Sequence, residues 1–150
     1  MSSGIFGLEE VLRDLDMISE DIDEAMDEIA KEVATEIQQK AIDNVNGPKI
    51  GSSKGKIYKK YKAVVKQGYH PYPVAVRTGS LKRSLKIKKM SKGRRKVFAD
   101  MNIANYACHV HDGTSRMKSR PFLDDAVDYV MDSGKYLDIA GKIIDDILNK

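Results

Sequence analysis

Apolar residues recur at Leu8, Leu12, Leu15, Ile18, Ile22, Met26, Ile29, Val33, Ile37, Ala41 and Val45, ten steps across 37 residues. A mean step of 3.7 residues marks one face of a helix. Acids and a few bases fill the other positions, and neither Pro nor Gly interrupts the run from Leu8 to Asn46. Asn46-Gly47-Pro48 supplies the stop. The period is too long for a left-handed coiled coil, which needs about 3.5, so the stripe suits packing against a sheet or a neighbouring subunit. An unbroken helix of this length spans roughly 58 Å at about 1.5 Å per residue. A compact chain of this size has a radius of gyration of only about 15 Å. Either the helix breaks, with Ser19 before Glu20-Asp21 as a cap, or it projects and its stripe needs a partner.

Further along, the pattern shortens. Residues 47–73 are rich in Gly, Ser and Lys, then in Lys and Tyr, and His70-Pro71-Tyr72-Pro73 reads as extended chain. In Arg77-Thr78-Gly79-Ser80-Leu81-Lys82-Arg83-Ser84-Leu85, Thr78 or Ser80 is placed to cap a short helix with Leu81 and Leu85 on one face. Period-two alternation over Leu85-Lys86-Ile87-Lys88, a turn at Ser91-Lys92-Gly93 and a second run from Lys96 to Met101 predict a β-hairpin with one basic and one apolar face. Asn102 to Asp112 reads as a short helix capped by Asn102 or Asn105, with Ile103, Tyr106, Ala107 and Val110 inward and Gly113 ending it. Arg120-Pro121-Phe122-Leu123 opens another helix, with Pro121 in the first turn and Asp124-Asp125 near its positive end. Ser133-Gly134 ends that helix, and Tyr136 to Leu148 forms the last, amphipathic one. The expected fold is α+β in one domain: a long acidic helix (1–46), a basic loop (47–76), an α+β core (77–131) and a C-terminal helix (132–150).

Charge divides the chain more sharply than its net +4 suggests. Residues 1–46 carry 13 acids and 3 bases, residues 47–123 carry 2 acids and 20 bases, and residues 124–150 carry 7 acids and 3 bases. The chain thus offers partners both an acidic and a basic surface, unless the two neutralise each other within one fold. Basic residues interleaved with Tyr58, Tyr61, Tyr69 and Tyr72 suit either a phosphate backbone with base stacking or a solvated loop. The single cysteine, Cys108, excludes an internal disulfide framework and fits a reducing compartment. No apolar run reaches the length of a membrane span, and the N-terminus has neither the basic start nor the apolar core of a signal peptide.

Chemistry, if present, belongs to Tyr106–Leu123, where Cys108, His109, His111 and Asp112 crowd together. On a helix His109 and His111 point about 200° apart and cannot share a metal, while structural zinc needs four ligands. Acids are nearly missing from the basic segment, so no paired carboxylate for hydrolysis is in view, and no Gly-rich phosphate cradle occurs. No catalytic residue, metal site or cofactor is expected.

Three pieces carry a resemblance: Arg77-Thr78-Gly79-Ser80-Leu81 with Ser84; Tyr106-Ala107 with Val110 and Gly113-Thr114; and Arg120-Pro121-Phe122-Leu123 with Ala126. Together with the long charged helix, they resemble the tail-completion (head–tail joining) family of long-tailed bacteriophages. The resemblance implies an α+β subunit without catalysis or cofactor that forms a ring, typically of six copies, between the head connector and the tail tube. Its expected partners are further copies of itself, connector or adaptor proteins, and the tail tube or a tail terminator protein, with genome DNA passing through the bore. Its expected location is the virion neck, after assembly in the host cytoplasm. Lys82, Arg83, Lys86, Lys88, Arg94 and Arg95 are the candidates for contact with DNA or acidic neighbours. One departure stands out: His111-Asp112 precedes Gly-Thr where the family usually has an acid and an apolar residue. A contact there becomes pH-sensitive if His111 titrates near neutrality.

Overall fold

Helix α1 (Ser3–Val45) is 43 residues long without a break, roughly 65 Å at about 1.5 Å per residue. The computed structural model describes residues 3–47, 74, 76, 78–115 and 119–149. Ser19 does not interrupt α1. A lone Ser costs a helix interior only about 0.5 kcal/mol against Ala, and the residues around it are good helix formers. Most of the basic loop expected over 47–76, with its tyrosines, lies outside the described residues.

The remaining elements gather around the second half of α1. A short helix α2 (Ser80–Ser84) runs directly into strand β1 (Leu85–Ser91), which pairs antiparallel with β2 (Arg94–Ala99). Register runs from Leu85 opposite Ala99 to Lys89 opposite Arg95, with an irregularity between Lys89 and Ser91. Gly93, at φ 71°, makes the turn that a residue with a side chain resists. Helices α3 (Ala107–Asp112), α4 (Phe122–Asp132) and α5 (Lys135–Leu148) follow, giving the expected α+β class.

The core lies where α1, the hairpin base and α4 meet. Ile37, Ala41 and Val45 pack with Leu81, Leu85, Ala104, Ala107, Phe122, Ala126 and Val130. Four of these side chains are small: Ala41, Ala104, Ala107 and Ala126 are fully or almost fully buried and let backbones approach closely. The two buried polar side chains of the core are satisfied. Asn44 Nδ2 donates to the Phe122 carbonyl at 3.1 Å, and the Ser84 hydroxyl donates to the Leu81 carbonyl at 2.6 Å. Gly47 N–H donates to the Val74 carbonyl and Val74 N–H to the Asn44 carbonyl, both at 2.8 Å, so the chain returns at 74 to the point where it left α1.

Three local expectations need correction. Neither Thr78 nor Ser80 caps α2: Gly79 holds the N-cap position at φ 77°, and the Thr78 hydroxyl instead pairs with that of Ser80 at 2.8 Å. The helix expected from Asn102 begins only at Ala107, because Asp100 captures the preceding turn. Its carboxylate accepts from the Asn102 N–H at 3.0 Å and its carbonyl from Ile103 and Ala104. Ile103 and Tyr106 consequently stay exposed, whereas Ala107 is buried as expected and Ala104 joins it in the interior. Pro121 sits at the N-cap of α4, one residue outside its expected first turn.

Candidate functional site

The crowded stretch Tyr106–Leu123 builds a corner between α3 and α4. Gly113 ends α3 at φ 80°, ψ 173°, a conformation open essentially to glycine alone, and its N–H reaches the His109 carbonyl at 2.9 Å. The chain then doubles back: Arg120 N–H donates to the Val110 carbonyl at 3.0 Å, and the Ser119 hydroxyl to the His111 carbonyl at 2.8 Å. Phe122 inserts into the core and Leu123 packs against it. The His111 ring meets Phe122 edge-on at 5.1 Å, with Nδ1 2.8 Å from an Asp112 carboxylate oxygen. His111 and Cys108 both line an open groove of about 360 Å³ with Ile37, Val97, Met101, Leu123, Val127, Asp112 and Asp124. Among the described residues no hydrogen bond joins Cys108 to a histidine, and no group of three or more His, Cys, Asp or Glu could hold a metal ion. Thr114 and Cys108 are exposed, and Pro121 and Arg120 half-buried.

In the Arg77–Ser84 piece, Leu81 and Ser84 are buried whereas Thr78 is exposed; Arg77 lies outside the described residues. The basic candidates separate into two groups. By strand alternation, Leu85, Ile87, Lys89, Arg95, Val97 and Ala99 share the hairpin face toward α1, and Lys86, Lys88, Lys96 and Phe98 share the outer face. The expected division into a basic and an apolar face is thus broken at the hairpin tip. There Asp27 of α1 accepts from Arg95 Nη2 at 3.0 Å, Gly93 N–H at 3.1 Å and Lys89 Nζ at 3.2 Å. Arg95 is therefore tied down inside the protomer. Lys86 pairs with Asp100 at 2.9 Å and Arg83 reaches the Ser80 hydroxyl at 3.4 Å. Lys82, Lys88, Lys92 and Arg94 are exposed without an ion-pair partner among the described residues.

The Asp27 clamp escaped sequence reasoning, since one acid among thirteen in a helix carries no mark of its partner. The Gly93 N–H above all, then Lys89 and Arg95, hold its carboxyl below the usual carboxylate range. A lowered folded-state value adds stability that is present above the unfolded value of about 3.9 and is lost as pH falls through the lowered one. Asp27→Asn is accordingly expected to lower the melting temperature at pH 7, with the gap to wild type narrowing below pH ~4. Thermal scans across pH 2.5–7 check this, and a pH-independent gap would contradict the clamp's ionic part.

Before the clamp, α1 leaves the body. Leu8, Val11, Leu12, Leu15, Ile18, Ile22 and Met26 each keep more than half of their surface in water, although they continue the face that Val33, Ile37 and Ala41 bury. No helix among the described residues is long and apolar enough to cross a membrane. The exposed stripe is flanked by acids along its whole length.

No curated protein and no solved structure matches the chain. A family model does, described as "Bacteriophage HK97-gp10, putative tail-component" and covering residues 9–107. That span takes in α1 from Glu9 onward, α2, the hairpin and the first residue of α3, and leaves the Arg120–Leu123 corner beyond it. Covering well over half of the chain, it shows that the protein belongs to this family of phage tail components.

Proposed function

We propose that the protein is a tail-completion (head–tail joining) subunit, assembling as a ring at the virion neck between the head connector and the tail tube, without catalysis or cofactor. The observation that carries this reading is the projecting half of α1. Most helix stability in proteins comes from packing an amphipathic face, and the apolar stripe here gains that burial in an assembly. The ring, of six copies by family resemblance, would meet connector or adaptor proteins on one side and the tube or its terminator on the other. In this reading Tyr106, Gly113-Thr114 and Arg120–Leu123 set the corner that orients α3 on α4, and contact partners only at its exposed members. Electron microscopy of the purified protein, alone and mixed with tail tubes and connectors, tests the proposal. Closed rings or added density at a tube end are expected, and a monomer in every mixture would overturn it.

A second reading, DNA binding through residues 49–96, is favoured by one feature: residues 80–99 contain nine bases and no acid. Six or more phosphate contacts would make affinity fall roughly 10³-fold or more between 50 and 200 mM salt. A shallow salt dependence would remove it. The readings overlap where a ring lets the genome through its bore.

A further inference from the structure

We propose that residues 8–26 of α1 in one copy lie across the outer face of the β1–β2 hairpin in the next, a head-to-tail contact that rests on the ring reading above. The helix segment presents its stripe from Leu8 to Met26 with eight acids and one base around it. The outer hairpin face presents the converse: Phe98 and exposed Met90 lie among Lys88, Arg94 and Lys96, while Lys86 at the base of the face is paired with Asp100. An apolar centre with a basic rim thus meets an apolar stripe with acidic flanks.

Competing occupants fit less well. A second α1 would bring eight acids against eight, and like charges across an interface repel. The groove beside His111 is apolar but includes Asp112 and Asp124, with no Lys or Arg among its lining residues. The same chain thus carries a surface that fits its stripe in sign of charge and in apolar character. The Asp27 clamp gives the contact its direction: by holding α1 at the hairpin tip, it fixes the line on which residues 8–26 leave the body. A contact between two different patches propagates from copy to copy and closes into a ring when its rotation allows.

Cysteine cross-linking of the full chain tests the arrangement. In a Cys108→Ser background, Ile18→Cys combined with Met90→Cys is expected to give a covalent ladder on oxidation, and each single-cysteine protein only monomer. A dimer from Ile18→Cys alone would mean α1 pairs with α1, and would overturn the proposal. Charge reversal supplies the second arm. Asp16→Lys with Asp23→Lys, or Lys88→Glu with Lys96→Glu, is expected to raise the concentration needed for assembly more than tenfold, and mixing the two variants is expected to restore it. Rings that form as in wild type from either variant, or rings without the ladder, would overturn this contact while leaving the neck reading intact. Wild-type protein that stays monomeric with tails and connectors would instead remove the reading itself.

Discussion

Phe122→Ala is expected to destabilise the fold by about 3–5 kcal/mol, the range for emptying a fully buried aromatic site. Phe122 has no exposed surface and stands where α1, the hairpin base, α3 and α4 converge. Truncating it removes its packing against the core and the edge-on His111 contact together. The surrounding backbone cannot close the gap easily. Asn44 grips the Phe122 carbonyl from α1, and the Arg120–Val110 bond fixes the corner behind it. At roughly 2–4 °C per kcal/mol for a protein of this size, the melting temperature should fall by about 10 °C. Urea unfolding should show a lower midpoint with an unchanged slope, and Phe122→Leu should lose less because it keeps more of the volume. A loss below about 1 kcal/mol would mean that the corner does not anchor the core as described.

What could be read from sequence depended on whether a signal was local. The period of 3.7 located the body of α1 and, with Asn46-Gly47-Pro48, its end at Val45, though the helix starts five residues before the stripe; alternation with the Ser91–Gly93 turn located the hairpin, because each pattern is set by neighbours in the chain. Gly113 and Gly134 marked element ends for the same reason: each takes a positive φ that other residues avoid. Competition between local bonds was harder to foresee. Asp100 claims the Asn102 N–H, so the expected helix starts five residues late and Tyr106 faces water. Long-range pairing left no trace at all. Asp27 meets Gly93 and Arg95 across more than sixty residues, and no residue beside it in sequence marks it among the other helix acids. The site followed the same division. The stripe was evident from the start, but only packing could separate its buried half, from Ile37 to Val45, from its exposed half, from Leu8 to Met26. The histidines and the cysteine drew attention as chemistry, whereas the corner around them is held chiefly by backbone bonds and Phe122.

Replacing Leu12, Leu15, Ile18 and Ile22 together by Gln is expected to separate folding from assembly. All four are exposed and touch no buried core residue, and Gln has a helix propensity close to that of Leu and slightly better than that of Ile. The stability of the isolated protomer should therefore stay within about 0.5 kcal/mol per site of wild type, as for other surface substitutions, and the helical circular dichroism should be kept. Assembly should respond differently. Burying one such side chain is worth about 1.5–3 kcal/mol, and each 1.4 kcal/mol is a factor of about ten in affinity. Even partial burial of four side chains makes the loss roughly 10³-fold or more. Sedimentation and microscopy should accordingly find folded protomers where wild type forms rings or decorates tube ends. If the variant assembled normally, the stripe would not be the contact surface, and the neck reading would lose its main structural support. If it unfolded instead, the stripe would have to pack within its own chain. The exposed half of α1 makes the first result the expected one, because side chains already in water have nothing to lose until a second molecule arrives.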